Sequence, residues 1–334
     1  MKICVVGAGA IGGLLAARLA ASGQDVTVIA RGAHLRAIKQ NGLRLEKADG
    51  EEIIARVAAT DKIDDIGPQD LIILAVKAHQ LRDVVDALPR AFDENTIVLT
   101  AQNGIPWWYF DKQGGKFEGR PLESVDPAGE IRAALPIERI IGTVVYPAAE
   151  ISAPGCIKHL EGDRFSVGEI DGSDTPRIRA LSDALRAAGF KAPVLGDIRS
   201  EIWTKLWGNL TFNPISALTH ATLVDICRYP LTRSLAASMM AEAQTVAEKL
   251  GVRFKVSLER RIAGAEAVGA HKTSMLQDVE AGRFLEIDAL LGSVVELARL
   301  TETPTSHIDA VYACVKLLQQ SLASAGGRLR IDQN

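Results

Sequence analysis

Short apolar, β-branched runs alternate with helical patterns through the first part of the chain, and helical patterns alone follow. Lys2 to Val6 opens with such a run, and the spacing predicts a helix from Ile11 to Ala21 that stops at Gly23. Asp25 to Ala30 reads as a second strand and His34 to Gln40 as a short helix. Leu43 to Glu46 and Ile53 to Val57 form a predicted hairpin around Asp49-Gly50, a dipeptide that accepts positive φ. Asp70 to Val76 is apolar at nearly every position, as expected of a parallel strand buried on both faces, and Thr96 to Thr100 repeats the pattern. Ile140 to Pro147, Cys156 to Leu160 and Arg164 to Val167 read as a short antiparallel extension. A helix over Ile178 to Ala188 and a last strand over Ala192 to Leu195 follow. From Asp197 onward strand signals vanish. Helices are predicted over Ile198 to Leu210, Ser234 to Leu250, Ser257 to Gly269, Leu285 to Leu300 and His307 to Ala323.

This order predicts an α/β Rossmann-type N-terminal domain over residues 1–196 and an all-α C-terminal domain over 197–334, the plan of a two-domain dehydrogenase in which the first domain serves a cofactor and the second a substrate. One stretch fits neither. Trp107-Trp108-Tyr109-Phe110 precedes a Gly-, Pro- and charge-rich segment to Arg139, too long for an average connection, so an insertion or lid is expected near 107–139. Its aromatics would cover the active site or bury themselves in a subunit contact. The remaining tryptophans, Trp203 and Trp207, would complete a shared aromatic wall.

Composition narrows the class. The 334 residues are 47% hydrophobic and 24% charged, ordinary for a globular chain long enough for two cores. Basic and acidic residues nearly balance, 38 against 41 for a net charge of -3, without the dense basic run that follows a nucleic-acid backbone, so no nucleic-acid partner is expected. Cys4, Cys156, Cys227 and Cys314 lie far apart, without ligand spacing to one another or to histidine. They read as free thiols of a reducing cytosol, with no metal site. The first residues mimic a signal peptide, but Arg18 interrupts the apolar run and Gly7, Gly9, Gly12 and Gly13 have a use only in a folded segment. No other run approaches the ~20 residues that span a bilayer, so a cytoplasmic protein without a membrane partner is expected.

Candidate chemistry begins at the amino terminus. Gly7-Ala8-Gly9-Ala10-Ile11-Gly12 lies between a strand and a helix, the context a dinucleotide fingerprint requires: Gly7 for the tight turn, Gly9 for close approach of a pyrophosphate, Gly12 for helix against strand. The phosphates would meet the positive end of the helix. After the second strand stands Arg31, where a carboxylate would read the ribose 2′-hydroxyl of NAD. An arginine there pairs with a 2′-phosphate and favours NADP. Lys77 and Gln80 follow one central strand and Asn103 the next, at the edge where open α/β sheets bind ligands.

In the second domain Lys205, Asn209 and Asn213 recur every four residues, a gently drifting stripe on one side of a helix among Trp203, Leu206, Trp207, Leu210 and Phe212. Such a stripe either lines a cleft or is a snorkelling lysine with an Asn cap before Pro214, since the residue preceding proline is pushed from helical geometry. Glu286 begins an otherwise apolar stripe with Leu290, Ser293 and Leu297. It is either paired, with Lys205 the available cation, or exposed in a first helical turn.

Taken together these residues resemble the ketopantoate reductase (2-dehydropantoate 2-reductase) family. The likeness runs along most of the chain: the glycine turn, Arg31, Lys77-Ala78 with Gln80, Gln102-Asn103-Gly104, Trp203 to Pro214, and Ser274 through Asp278 to Glu286. The resemblance implies that Lys205 donates a proton, that Asn209 and Asn213 hydrogen-bond the substrate and that Ser274 holds its carboxylate end. It further implies that Asn103 contacts both ligands, that Glu286 partners the lysine or the substrate hydroxyl, and that Ala148 lies at a cofactor backbone contact. The reaction so implied is NADPH-dependent reduction of a 2-oxo acid, foremost 2-dehydropantoate to pantoate in pantothenate biosynthesis, with the small-molecule acid as partner; apart from the resemblance, a homodimer through helical surfaces is considered. Two departures bear on the substrate: Ile105-Pro106 and four aromatics replace the glycine-rich continuation after Asn103, and a further Asn has no counterpart between Leu218 and Asp225. The alternatives are a reductase of another branched or aromatic 2-oxo acid and a non-catalytic NADP-binding sensor.

Overall fold

The computed structural model describes residues 1–327 and divides into two compact units. The first comprises Met1–Gln102, Pro106–Pro121 and Asp126–Ile198. The second comprises the chain from Arg199 together with two short segments, Asn103–Ile105 and Leu122–Val125.

Strands of the first unit are β1 (Lys2–Val6), β2 (Asp25–Ile29), β3 (Leu43–Glu46), β4 (Glu52–Ala55), β5 (Ala58–Thr60), β6 (Leu71–Leu74), β7 (Ile97–Thr100), β8 (Ile140–Val145), β9 (Ala148–Ala153), β10 (Cys156–Glu161) and β11 (Phe165–Glu169). Its helices are α1 (Ala10–Ala21), α2 (Gly32–Asn41), α3 (Arg82–Val85), α4 (Glu130–Ala134) and α5 (Pro176–Ala187). The main sheet runs β5-β2-β1-β6-β7-β8-β11, parallel from β5 to β8 and antiparallel only at β11. Its six parallel strands have the order of a dinucleotide-binding sheet, so the carboxyl ends of β1, β2, β6 and β7 deliver the glycine turn, Arg31, Lys77 and Gln102 to one edge.

A second sheet, β4-β3-β10-β9, corrects the expected antiparallel extension. Only β11 extends the main sheet antiparallel to β8. Strand β10 instead pairs parallel with β3 of the early hairpin, and β9 pairs with β10. The two sheets explain the composition of α1. Gly12 faces Gly7 and Ala75 of the main-sheet side, where a Cβ would come within 1.9 Å of the Gly7 carbonyl oxygen, while Gly13 faces Ile157 of β10, where a Cβ would lie 2.6 Å from its side chain. A helix packed against protein on opposite sides is apolar all round and carries small residues at both contacts. The last predicted strand is present only as isolated bridges, Lys191 to Arg164 just before β11 and Val194 to Val167 within it, because Pro193 has no N–H for a ladder.

Trp107 to Phe110 form no lid. All four are buried, and Trp108 donates its indole N–H to Thr100 Oγ1 at 3.1 Å while its ring lies on Gly142. The segment beyond is tied down as well: Arg132 reaches the buried Asp111 carboxylate at 2.5 Å, and Asp126 accepts the N–H groups of Ile131 and Arg132. These aromatics are buried within the single chain, without the subunit contact that is the other expectation for them.

The second unit is helical: α6 (Ile198–Thr219), α7 (Leu223–Arg228), α8 (Pro230–Lys249), α9 (Leu258–Ala267), α10 (Ser274–Glu280), α11 (Ser293–Leu300) and α12 (Ser306–Ser324). Helix α6 does not stop before Pro214 but runs through it to Thr219, because Phe212, Ile215 and Ala217 are buried and packing outweighs the hydrogen bond that proline cannot donate. Helices α7 and α10 were not expected. Both are short and start from side-chain caps, Thr222 with Asp225 and Thr273 with the Leu276 N–H. The predicted helix from Leu285 is interrupted: Asp288–Gly292 form a π-helical turn ahead of α11. Trp207 is fully buried, donates to the Met240 carbonyl at 2.7 Å and stacks at 4.3 Å on Phe254. Trp108→Ala is expected to destabilise the fold by about 3–5 kcal/mol, read as a lowered urea midpoint.

Candidate active site

In the first unit the glycine turn has the conformation its sequence predicts. Gly7 sits at φ +98°, and a Cβ there would press on Val76. The amides of Gly7 and Ala8 donate to the Ile29 carbonyl, which fixes the turn between β1 and β2. Gly9 caps α1 in an extended conformation, and a Cβ placed on it would meet nothing within 4 Å. The first turn of α1, Ala10 to Gly12, carries no acidic residue and no side-chain cap. These features suit an anion at the helix start: open space above Gly9 and uncompensated amide dipoles. Arg31 is exposed at the start of α2. Lys77 is half-buried after β6, its N–H donating to Gln80 Oε1 at 3.3 Å, and Gln80 is exposed. Ala148 lies apart from this edge in sequence and begins β9 of the second sheet.

In the second unit α6 brings the polar stripe into place. Trp203, Leu206, Trp207 and Leu210 bury the opposite side of the helix, which leaves Lys205 and Asn209 half-buried. Lys205 Nζ donates to Asn103 Oδ1 at 2.6 Å. An ammonium has no acceptor, so the Asn103 oxygen must face it and the amide N–H groups point elsewhere. Burial lowers the Lys205 pKa to about 8, against the opposing pull of the Glu286 carboxylate, which raises it. The lysine is therefore displaced from the ~10.4 of an exposed ammonium. It is poised to exchange a proton near neutrality. Asn213, only 6% exposed, donates to Ser274 Oγ at 3.4 Å, and Ser274 is exposed as the first residue of α10. Glu286 is half-buried just before the π turn.

Lys205, Asn209, Asn213, Ser274, Glu286 and Asn103 thus belong to one compact unit. The inclusion of Asn103, more than a hundred positions before Lys205 in the chain, could not be read from spacing.

A family model described as ketopantoate reductase PanE/ApbA matches residues 3–172, and its C-terminal counterpart matches residues 197–319. The chain belongs to the ketopantoate reductase family. It is accordingly an oxidoreductase acting on a CH–OH group. A 2-dehydropantoate 2-reductase of Mesorhizobium japonicum is 54% identical over 319 residues, covering 95% of this chain and 98% of that one. A crystal structure of a Ralstonia solanacearum protein assigned to the ketopantoate reductases is 40% identical, with a TM-score of 0.92 over 96% of this chain and 98% of the other. D-mandelate dehydrogenase, solved with NADH and anilino(oxo)acetate, shares the fold at 24% identity and a TM-score of 0.81, over 97% of this chain and all of that one. Among the described residues no helix is long and apolar enough to cross a membrane, and no group of His, Cys, Asp and Glu is arranged to hold a metal.

The two glycines separate folding from binding. Gly9→Ala is expected to keep the apo stability within about 0.5 kcal/mol while weakening nicotinamide dinucleotide binding, because its new methyl occupies only the open space. Gly12→Ala, driven into the Gly7 carbonyl, is expected to cost about 1–3 kcal/mol before any cofactor is added. Thermal denaturation with and without dinucleotide distinguishes the two.

Proposed function

We propose that the protein reduces 2-dehydropantoate to pantoate with NADPH, the 2-oxo acid reduction of pantothenate biosynthesis. The observation that carries this reading is the setting of Lys205: an ammonium with a pKa of about 8, hydrogen-bonded to Asn103 and in the field of Glu286. The nicotinamide, when bound, supplies the hydride for the ketone carbon. The glycine turn and α1 start hold the pyrophosphate, with Arg31 taking the 2′-phosphate and Lys77, Gln80 and Ala148 supplying further cofactor contacts. Asn209, Asn213 and Ser274 orient the acid, and Ser274, exposed at a helix start, takes its carboxylate end. Asn103, whose oxygen is committed to Lys205, turns its N–H donors to the ligands.

Lys205 holds the proton at Nζ and delivers it to the carbonyl oxygen as negative charge develops there. A cation in a partly desolvated place stabilises that charge far more than one in water. Glu286 keeps the lysine charged by opposing the desolvation that would strip its proton. A non-catalytic sensor would have no use for a lysine tuned toward neutrality.

A panel of 2-oxo acids assayed with NADPH and with NADH tests the proposal. Preference for 2-dehydropantoate with NADPH supports it. Faster turnover of phenylglyoxylate assigns the chain to an aromatic 2-oxo acid instead, and cofactor binding without turnover of any acid would make it a sensor. Lys205→Ala is expected to lower kcat by about 10²- to 10⁴-fold. The reaction direction also sets the sign of the pH dependence. Reduction needs protonated Lys205, so kcat/KM is level below the pKa and falls as pH rises through about 8, whereas oxidation of the hydroxy acid needs the free amine and rises over the same range. Glu286→Gln removes the group that raises this pKa, so the alkaline limb of reduction is expected to move to lower pH. Arg31→Ala is expected to raise the KM for NADPH by about tenfold or more, the worth of a charge-assisted contact, and to leave that for NADH nearly unchanged.

A further inference from the structure

The π turn at Asp288–Gly292 changes which backbone oxygen is free. In an α-helix the Ser293 N–H would bond the Ala289 carbonyl; here it bonds Asp288, one residue earlier. The released Ala289 carbonyl accepts two other donors, the Ile105 N–H at 3.0 Å and the Ser293 hydroxyl at 2.8 Å. Gly104, at φ +92°, lies so close that a Cβ would stand 2.2 Å from that same oxygen. The residue before Gly104 is Asn103, whose side chain holds Lys205. Ser293 is fully buried, and its hydroxyl replaces at Ala289 the N–H that the wide turn has taken away. Without that hydroxyl, the Ala289 oxygen has reason to recapture the Ser293 N–H and draw back from Ile105.

We propose that Ser293 is a positioning residue for the reaction: its hydroxyl keeps the wide turn in register, so that the freed Ala289 carbonyl, against Gly104, fixes Asn103 on Lys205. This rests on Lys205 acting as the proton donor. The same helix holds the second excursion of the chain into this unit, since the Glu296 carboxylate accepts the N–H groups of Glu123 and Ser124 at 3.0 and 2.9 Å. The stretch from Asp288 to Leu300 is thereby the platform on which both segments rest.

Ser293→Ala, Gly104→Ala and Asn103→Ala, singly and with each of the first two combined with the third, test the proposal through kcat/KM across pH and through exchange of the Ile105 amide. Each single variant is expected to lose about tenfold or more in kcat/KM, the worth of a hydrogen bond to a charged group. Each should also move the alkaline limb to lower pH, because an ammonium deprived of an acceptor gives up its proton more readily. In the Asn103→Ala background, Ser293→Ala is expected to add no more than about twofold, since coupled residues are not additive. Ile105 should lose amide protection in Ser293→Ala and in Gly104→Ala. The proposal is overturned if Ser293→Ala multiplies the Asn103→Ala loss in full, leaves the alkaline limb in place and keeps Ile105 protected. Should Ser293→Ala not fold, Gly104→Ala alone decides by the same criteria. If the unmodified protein turned over no 2-oxo acid, the proton-donor reading would fail by itself, and Ile105 exchange would still decide whether the latch exists.

Discussion

A lysine held where water cannot fully reach it is the constraint around which the helical unit is built. Desolvation pushes the ammonium toward the neutral amine, and by itself can move a buried lysine several pH units. Here desolvation lowers the pKa to about 8 and the charge of Glu286 resists it, while Asn103 accepts a 2.6 Å hydrogen bond from the ammonium. Each must be held in place by something else. Lys205 is fixed by α6, whose far side is locked by Trp203 and by Trp207, with the latter's indole N–H spent on Met240. Asn103 is fixed through the backbone of Gly104 and Ile105 on the π turn, and Glu286 immediately precedes that turn. The turn thus adjoins both the residue that accepts the lysine's hydrogen bond and the one whose charge raises its pKa.

The first unit meets a different constraint, space. Helix α1 is flanked by two sheets, and its glycines serve separate purposes: Gly12 and Gly13 let the flanking layers approach, whereas Gly9 leaves room for something absent from the fold itself. Had Gly9 also faced a packed neighbour, the glycine pattern would be explained by packing alone. Open space at a helix start without acidic residues suits an anion, as the proposed phosphate-binding role requires.

Local periodicity carried much of this. The glycine turn, the continuous apolar runs of β6 and β7, and the four-residue stripe on α6 are all properties of neighbouring residues, and each appears at or near its predicted place. What escaped were features decided by distant partners. The pairing of β10 with β3 joins segments more than a hundred residues apart, and no property of Cys156 to Leu160 names Leu43 to Glu46 as its neighbour. Pro214 signals a helix end by local rules, and burial of Phe212, Ile215 and Ala217 overrules it. The π turn leaves the hydrophobic pattern of Ile287 to Leu300 intact and shifts only the backbone register, so periodicity cannot reveal it. Its trace in the sequence is the pair Gly292-Ser293: a Cβ at Gly292 would come within 3.2 Å of the Tyr312 hydroxyl, which itself bonds Asp288.

The replacement of a glycine-rich continuation by Ile105-Pro106 and four aromatics raises the question of whether the substrate pocket has changed. The structure separates that stretch into two parts with different duties. Ile105 contributes a backbone N–H to the Ala289 carbonyl, a contact that almost any residue but proline can make. Trp107 to Phe110 are core, and Trp108 is oriented by Thr100 at the end of β7. A substitution that fills a core alters stability before it alters which acid is accepted. On the proposed function, discrimination between 2-oxo acids is assigned to the polar groups of the helical unit. Among these, Asn213 is buried and directed at Ser274, so the proposed substrate roles of these two residues predict that a change in acid length or branching is felt first along that line.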